Sequence, residues 1–101
     1  MAIVVLWSDQ AKKTFANNVD YLQGSWTEKE VTKFILRSEY VLLNIEENPL
    51  LYSESNKGKN IRKATINKQI TLFYRYYLTK KMVVLLSFWN NYQDTKKLKF
   101  K

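Results

Sequence analysis

Residues 61–94 read IRKATINKQITLFYRYYLTKKMVVLLSFWNNYQD, and this stretch decides the fold. It contains three runs rich in β-branched and aromatic residues, joined by links of about three residues, which favours antiparallel pairing in a meander. The predicted strands are Ile61–Ile66, Ile70–Leu78 and Met82–Trp89. Because Met82–Leu86 is apolar throughout, we expect the last strand to lie inside the sheet, between two neighbours.

The N-terminal segment predicts one strand followed by a first helix. Residues 2–6, AIVVL, are apolar throughout and are expected to form a strand buried on both faces. Ser8 is a suitable N-cap, and Gly24 is a suitable end for the helix that follows. One apolar stripe at helical spacing runs along this helix: Ala11, Phe15, Val19 and Leu22.

A second helix begins at once, because Thr27 and Glu30 have the spacing of a capping box. Pro49 ends it, since the residue before a proline avoids helical dihedral angles. Its apolar positions are Val31, Phe34, Ile35, Val41, Leu42 and Ile45. Two helices with so short a link form an antiparallel hairpin. We therefore predict an α+β fold in which the hairpin covers one face of a four-stranded sheet, made of the N-terminal strand and the three-stranded antiparallel meander.

The rest of the chain predicts little regular structure. Residues 50–60 are expected to form a loop, and residues 95–101, TKKLKFK, a basic tail that extends as an edge strand or stays frayed. A length of 101 residues indicates one domain, 1–101, and no run approaches the roughly 20 apolar residues that span a bilayer. The absence of cysteine and histidine excludes disulfides, thiolate metal sites and histidine-based triads. We expect no metal or cofactor, no membrane partner and a cytoplasmic location.

Charge is divided unevenly along the chain. Residues 1–50 contain five Lys/Arg and seven Asp/Glu, a balance of −2, whereas residues 51–101 contain twelve and two, a balance of +10. The predicted sheet half is therefore strongly cationic, which favours polyanions or an acidic protein partner. The alternative is a surface that is merely solvated.

The alternation of the middle meander strand divides its side chains between two sheet faces. The more apolar set is assigned to the core: Ile70, Leu72, Tyr74, Tyr76 and Leu78. Arg75 and Tyr77 then lie on the open face, and Arg62 is expected on that face or at its rim. Mixed cations and tyrosines suit phosphate contact and base stacking, although tyrosines also pack across strands in ordinary sheets. The candidate target-binding residues are Lys57, Lys59, Arg62, Lys63, Arg75, Tyr77 and Tyr92.

No pattern of a generic enzyme site is present. There is no glycine-rich phosphate loop, and the two carboxylates of residues 51–101, Glu54 and Asp94, make neither an acid–base pair nor a magnesium cluster. The catalytic option that remains is metal-free RNA cleavage, in which the 2′-hydroxyl attacks and cations stabilise the phosphorane.

The order strand, helical hairpin, meander resembles the RelE/ParE family of bacterial toxins over almost the whole chain. Trp7-Ser8 at the start of the first helix and Glu47-Asn48-Pro49-Leu50 at the end of the second contribute to this resemblance. It implies the toxin of a type II toxin–antitoxin module, held by a cognate antitoxin in a hetero-oligomer. In this family the RelE branch consists of ribosome-dependent messenger-RNA nucleases, and the ParE branch poisons DNA gyrase.

The chain keeps only part of the cation pattern of the nuclease branch. Arg62 retains a cation and is similar to the arginine common in ParE-like sequences. An arginine expected on the next strand falls on Thr71, and a basic residue expected after the last strand falls within Asn90–Tyr92. Each missing cation is worth on the order of 2–4 kcal/mol to a phosphoryl-type transition state. We therefore expect ParE-like inhibition by binding, with a RelE-like endoribonuclease and a degenerate, non-toxic binding module as alternatives.

The resemblance also implies how an antitoxin binds. Antitoxins of this family wrap the toxin with a helix and an extended segment, which corresponds to helix-in-groove or strand-addition recognition. The basic sheet half predicts that this segment is acidic. Aromatic residues at element ends or in the tail are the candidate antitoxin anchors: Trp26, Trp89 and Phe100.

Overall fold

The computed structural model describes residues 3–25, 27–93, 95–98 and 100. Its elements are β1 (Val4–Trp7), α1 (Asp9–Ser25), α2 (Glu28–Glu47), β2 (Ser53–Glu54), β3 (Ile61–Thr65), β4 (Ile70–Tyr77), β5 (Met82–Asn90) and a short 3-10 helix (Thr95–Lys97). The predicted α+β class is confirmed. Within the described ranges, no helix is long and apolar enough to cross a membrane.

The five strands form one sheet in the order β1-β5-β4-β3-β2. The meander β3–β4–β5 pairs antiparallel as predicted, and β1 joins it in parallel with β5, with Val4 opposite Met82. The prediction that β5 is a central strand is therefore confirmed. The predicted number of four strands is wrong, because the segment 50–60 contains β2, which pairs antiparallel with the outer edge of β3.

Strand β1 lies at one edge of the sheet and is not buried on both faces, so that prediction is wrong. Val4 is 54% exposed and Leu6 47% exposed, whereas Val5 and Trp7 pack against the main core. The physical reason is position. The strand has one neighbour, and the helices cover only one sheet face, so alternate side chains remain in water.

Both helices begin at the predicted caps. The Ser8 hydroxyl accepts a hydrogen bond from the Ala11 N–H (3.0 Å), and the Thr27 hydroxyl accepts one from the Glu30 N–H (3.3 Å). These bonds satisfy amides that have no partner inside the first turn. Helix α1 runs one residue beyond its predicted end at Gly24.

Beyond the end of β1, side chains of α1 and of its N-cap form hydrogen bonds with the backbone edge of β5. The Ser8 hydroxyl donates to the Leu86 carbonyl (3.3 Å). Further along the helix, Thr14 Oγ1 accepts from the Phe88 N–H (3.0 Å) and Asn18 Nδ2 donates to the Phe88 carbonyl (2.9 Å). Side chains of a helix thus replace a neighbouring strand and satisfy backbone groups that would otherwise lack partners.

The main core lies between the helices and one face of the sheet. Its buried residues are Ala11, Val31, Phe34, Val41, Ile45, Ala64, Ile66, Ile70, Leu72, Tyr74, Val83, Leu85 and Phe88. The Tyr74 hydroxyl donates to the Pro49 carbonyl (2.8 Å), which fixes the end of α2 to the sheet. The predicted core set of the middle strand is confirmed except at its C-terminal end. Tyr76 is only partly buried against the core, and Leu78, which follows the end of β4 at Tyr77, is 68% exposed.

A smaller apolar cluster covers part of the other sheet face. Leu98, which is 3% exposed, packs with Ile61 and Phe73, and the Phe100 ring lies 5.6 Å from the Phe73 ring. Both predicted states of the tail, edge strand and frayed end, are therefore wrong for these residues. Two apolar side chains after β5 instead cover an apolar strip that the helices leave open.

Burial raises the pKa of Tyr74 to about 12, although the positive charge of Arg62 opposes this rise. In the unfolded chain a tyrosine titrates near pH 10. Between about pH 10 and 12 the unfolded state therefore loses this proton while the folded state keeps it. The corresponding stability is present below pH 10 and is lost as the pH rises to about 12.

Replacing Asn18→Leu should lower the free energy of unfolding by about 1–3 kcal/mol, because the buried Phe88 carbonyl loses its donor. Urea denaturation at pH 7 measures this change. Asn17→Leu, at an exposed position of the same helix, is the matched control and should change stability by less than about 0.5 kcal/mol. Equal losses in the two variants would contradict this role of Asn18.

Replacing Tyr74→Phe should remove the pH-dependent loss of stability described above. At pH 7 the variant should be less stable by about 1–2 kcal/mol, because the Pro49 carbonyl loses its hydrogen bond. As the pH rises from about 10 to 12, the advantage of the unsubstituted protein should shrink. Urea denaturation of both proteins across this pH range tests the prediction, and a constant difference would refute it.

Candidate functional site

The candidate residues Lys63, Arg75, Tyr77 and Trp89 lie on the sheet face away from the helices, here called the open face. Residues that pair directly across strands share a face, so the strand register defines its members. In β3, β4 and β5 they are Ile61, Lys63, Thr65, Thr71, Phe73, Arg75, Tyr77, Met82, Val84, Ser87 and Trp89. Arg75 and Tyr77 therefore lie on the face predicted for them.

The charged side chains of the open face are cations. Lys63 is exposed and Arg75 is partly buried. The seven carboxylates of residues 1–50 all belong to the two helices, and Glu54 lies on the other side of the sheet beside Arg62. In the part of the chain that the structure describes, no group of three or more possible metal ligands is brought together. Lys63 and Arg75 thus give the open face a positive charge.

Buried polar atoms without partners are concentrated on the open face. Among the described residues there are four such side-chain atoms, and three of them are Arg75 Nε, Ser87 Oγ and Trp89 Nε1. An unpaired buried polar atom costs about 1–3 kcal/mol. This polarity is therefore left unsatisfied by the described residues themselves. Ser87 is absent from the sequence-derived candidates, although a single hydroxyl within the apolar run Met82–Trp89 was a usable signal.

The loop between β2 and β3 passes close to the guanidinium of Arg75. A Cβ atom on Gly58 would lie 2.7 Å from Ile61 Cδ1 and 3.7 Å from Arg75 Nη2. A larger residue at position 58 would therefore require the Ile61 side chain to shift. Lys57 and Lys59 flank this glycine, so the loop brings two predicted target-binding cations to the same margin of the open face as Arg75.

Arg62 does not join these cations, and of the two positions predicted for it, the open face and its rim, the open face is wrong. Across the sheet it pairs with Tyr74, which belongs to the main core. Its side chain is 17% exposed, with Nη1 donating to the Tyr52 carbonyl (2.7 Å) and Nη2 lying 3.4 Å from Glu54 Oε1. The guanidinium thus ties the segment before β3 to the rim of the core.

The two positions at which the resemblance predicts a cation that this chain lacks lie close together. Thr71 Oγ1 donates to Asn91 Oδ1 (2.9 Å), and Asn91 Nδ2 donates to the Lys68 carbonyl (3.4 Å). Thr71 also pairs with Trp89 across the sheet. A neutral hydrogen-bonded pair therefore occupies this end of the open face.

The aromatic candidates have different surroundings. Tyr77 lies under the Lys80 ammonium, 5.7 Å from its ring centroid, and Tyr92 is 77% exposed. Trp89 and Phe100 pack into the smaller apolar cluster on the open face. Trp26 lies outside the described residues.

No family model and no curated protein matches the sequence. Solved structures do match. A chain of the toxin–antitoxin complex RelBE2 from Mycobacterium tuberculosis aligns over 92% of this chain and 95% of its own, with a TM-score of 0.61 and 13% identity. The YoeB dimer from Staphylococcus aureus aligns over 89% and 98%, with a TM-score of 0.58 and 20% identity. The heterotetrameric YoeB–YefM toxin–antitoxin complex from that organism covers the same shares at 0.56 and 20%.

At these identities the likeness shows the fold. This chain has the fold found in the RelBE2 and YoeB structures, so the predicted resemblance is confirmed at that level. The assignment to the ParE-like branch is not confirmed, because the matching structures are named RelBE and YoeB–YefM.

Substituting the two arginines by methionine should affect stability differently. Arg62→Met removes the donor to the Tyr52 carbonyl and should lower the free energy of unfolding by about 1–2 kcal/mol. Arg75→Met removes a buried atom that has no partner and should leave stability unchanged or slightly higher. Urea denaturation at pH 7 tests both variants. A loss in Arg75→Met as large as that in Arg62→Met would contradict the different roles assigned here.

Proposed function

We propose that this chain is the toxin of a two-component toxin–antitoxin module and that it acts on messenger RNA through the open face. The fold shared with the RelBE2 and YoeB structures supports the module. The observation that carries the proposal is the open face. Lys63 and Arg75 lie there among buried polar atoms that lack partners, and the described carboxylates lie elsewhere. Phosphodiester oxygens are the acceptors that such donors need.

Single-stranded RNA matches the open face in its remaining chemistry as well. Tyr77 and the exposed Tyr92 offer rings for base stacking, which is worth about 1–3 kcal/mol per base. When the 2′-oxygen attacks the adjacent phosphorus and the 5′-oxygen leaves, the phosphorane gains negative charge that Arg75 and Lys63 can stabilise. In this proposal the attacking 2′-hydroxyl gives up its proton and the leaving 5′-oxygen takes one up, and Lys63 and Tyr77 are the side chains of this face proposed for the two transfers.

In our proposal, the neutral pair Thr71–Asn91 makes the RNA cleavage slow. It lies where the RelE branch of the family places cations, and each absent cation raises the barrier by on the order of 2–4 kcal/mol. The same pair favours a second candidate function, which is arrest by binding alone, as in the ParE branch with DNA gyrase as the target.

The proposed module also assigns a partner to the open face. A cognate antitoxin with an acidic segment would neutralise the cations of this face and supply acceptors to the unpartnered donors. The toxin would then be stored in the cytoplasm as a hetero-oligomer with that antitoxin.

The proposal is tested by cleavage in a translation extract, mapped by primer extension on a defined messenger RNA. We expect discrete cuts with the unsubstituted protein. Arg75→Met should reduce the cleavage rate about tenfold or more, because a cation beside the phosphorane is lost. Thr71→Arg should raise the rate about tenfold or more, because it restores a cation at the position occupied by the neutral pair.

Matched controls separate these effects from net charge. Lys13→Gln removes an exposed cation from α1, and Thr32→Arg adds a cation at an exposed position of α2, away from the open face. Both should leave the rate within about threefold. Growth arrest with uncut RNA and inhibited supercoiling by purified gyrase would replace the proposal with the second candidate. A protein that neither arrests growth nor binds RNA would be the degenerate binding module.

A further inference from the structure

Helix α2 carries a second apolar stripe on the side opposite the core. Leu36, Tyr40 and Leu43 are 58%, 57% and 58% exposed, and their spacing of four and three residues places them on one helix face. The buried positions of the same helix lie on the other side: Val31, Phe34, Ser38, Val41 and Ile45. Three large apolar side chains in a row on an exposed helix face are typical of an interaction surface.

Charged residues extend this stripe at both ends. At the same spacing it continues to Lys33 and Lys29 in one direction and to Glu47 in the other. Positions 29, 33, 36, 40, 43 and 47 alternate steps of four and three, which is the spacing of a coiled-coil seam, and they are here called the α2 seam. The three charged side chains are exposed, and none forms an ion pair within the described residues.

We propose that the α2 seam binds the α2 seam of a second copy of this chain, antiparallel about a two-fold axis. With the six positions in register, Lys29 faces Glu47 of the second copy, Lys33 faces Leu43, and Leu36 faces Tyr40. Two-fold symmetry makes each contact twice. Apolar side chains fill the centre, opposite charges meet at both ends, and the lysine stems at position 33 cover leucine.

The distribution of charge selects a second copy as the occupant. The α2 seam is cationic at one end and anionic at the other, so it is complementary to its own reverse. A parallel pair would place Lys29 against Lys29 and Glu47 against Glu47. An acidic antitoxin segment, which would suit the cationic open face, would be repelled by Glu47 at one end of the α2 seam. The α2 seam and the open face lie on opposite sides of the sheet, so this dimer does not depend on the proposed function.

A groove beside the α2 seam provides room for the second copy. It has a volume of about 930 Å³ and lies between α2 and the turn from β3 to β4. Leu36 and Tyr40 line one wall, and Ile66 and Gln69 line the other. Gln69 Oε1 is buried without a donor. In the antiparallel register the Tyr40 hydroxyl of the second copy arrives at Leu36, where it can donate to this oxygen.

The dimer should be of moderate affinity, since three half-exposed apolar side chains per copy form a small interface. We expect a dissociation constant of about 10–100 μM. Sedimentation equilibrium of the full chain, from about 1 μM to 1 mM, should show the mass rising from the 12.1 kDa monomer toward twice that value. Tyr40→Glu should weaken the dimer about tenfold or more.

Charge reversal at the two ends of the α2 seam tests the orientation. Lys29→Glu alone and Glu47→Lys alone each place like charges together at both ends, so each should raise the dissociation constant about tenfold. Mixing the two variants should restore a heterodimer near the original affinity. At one end the carboxylate introduced at position 29 then faces the ammonium introduced at position 47, and at the other end the unsubstituted Lys29 faces the unsubstituted Glu47. Lys13→Glu, at an exposed position of α1, is the matched control and should leave the dimer unchanged.

The outcomes separate this proposal from other occupants. Circular dichroism and urea denaturation first establish that each variant is folded. A chain that stays monomeric to 1 mM, or a dimer indifferent to Tyr40→Glu, would overturn the proposal. Loss of dimer in the single charge variants without recovery on mixing would overturn the antiparallel register. If the chain is monomeric and Tyr40→Glu instead weakens the complex with an antitoxin, the α2 seam belongs to that partner.

Discussion

The structure depends on how the two edges of β5 are satisfied. One edge pairs with β4 along its whole length, but on the other edge β1 reaches only from Met82 to Leu85. Beyond that point Thr14 and Asn18 of α1 bond the backbone of Phe88. A buried strand cannot leave these groups unpaired, so α1 must lie against β5. This requirement holds the helices on one face of the sheet and leaves the other face to its own side chains.

That division of the sheet explains why cations and buried polar atoms without hydrogen-bond partners occur on the same sheet face. The carboxylates of the N-terminal half remain on the helices, while Lys63 and Arg75 project from the uncovered side. Leu98 and Phe100 shield only the apolar part of that side, and Arg75 Nε, Ser87 Oγ and Trp89 Nε1 remain without partners. A stable core and a cationic face are thus built back to back on the same three strands.

Side-chain alternation predicted the face of Arg75 but failed for Arg62, and the difference has a physical cause. In β4 one alternate set is clearly more apolar, so the core face is evident from the residues. In β3 each alternate set contains one cation and at least one apolar residue, since Arg62 and Ala64 share one face and Ile61 and Lys63 the other. The face of Arg62 therefore depends on the register with β4, which periodicity within one strand does not contain.

Other features could not be predicted from the sequence, because they depend on contacts between distant segments. The edge position of β1 follows from its pairing with β5, and the burial of Leu98 follows from an apolar strip on the open face. Rules that consider only neighbouring residues in the sequence cannot predict either feature. The helix caps at Ser8 and Thr27 are local in origin, and the sequence was sufficient to locate them.

The parallel pairing of Val4 with Met82 joins two segments that lie 78 positions apart in the sequence. A ribosome adds roughly 5–20 residues per second, so the first strand and both helices emerge several seconds before the strand that they are built around. During that interval the apolar stripes of the nascent helices have no sheet to cover, which makes them substrates for chaperones. A half-made chain has no assembled face to present. The open face therefore exists only once the last strand of the meander has been synthesised.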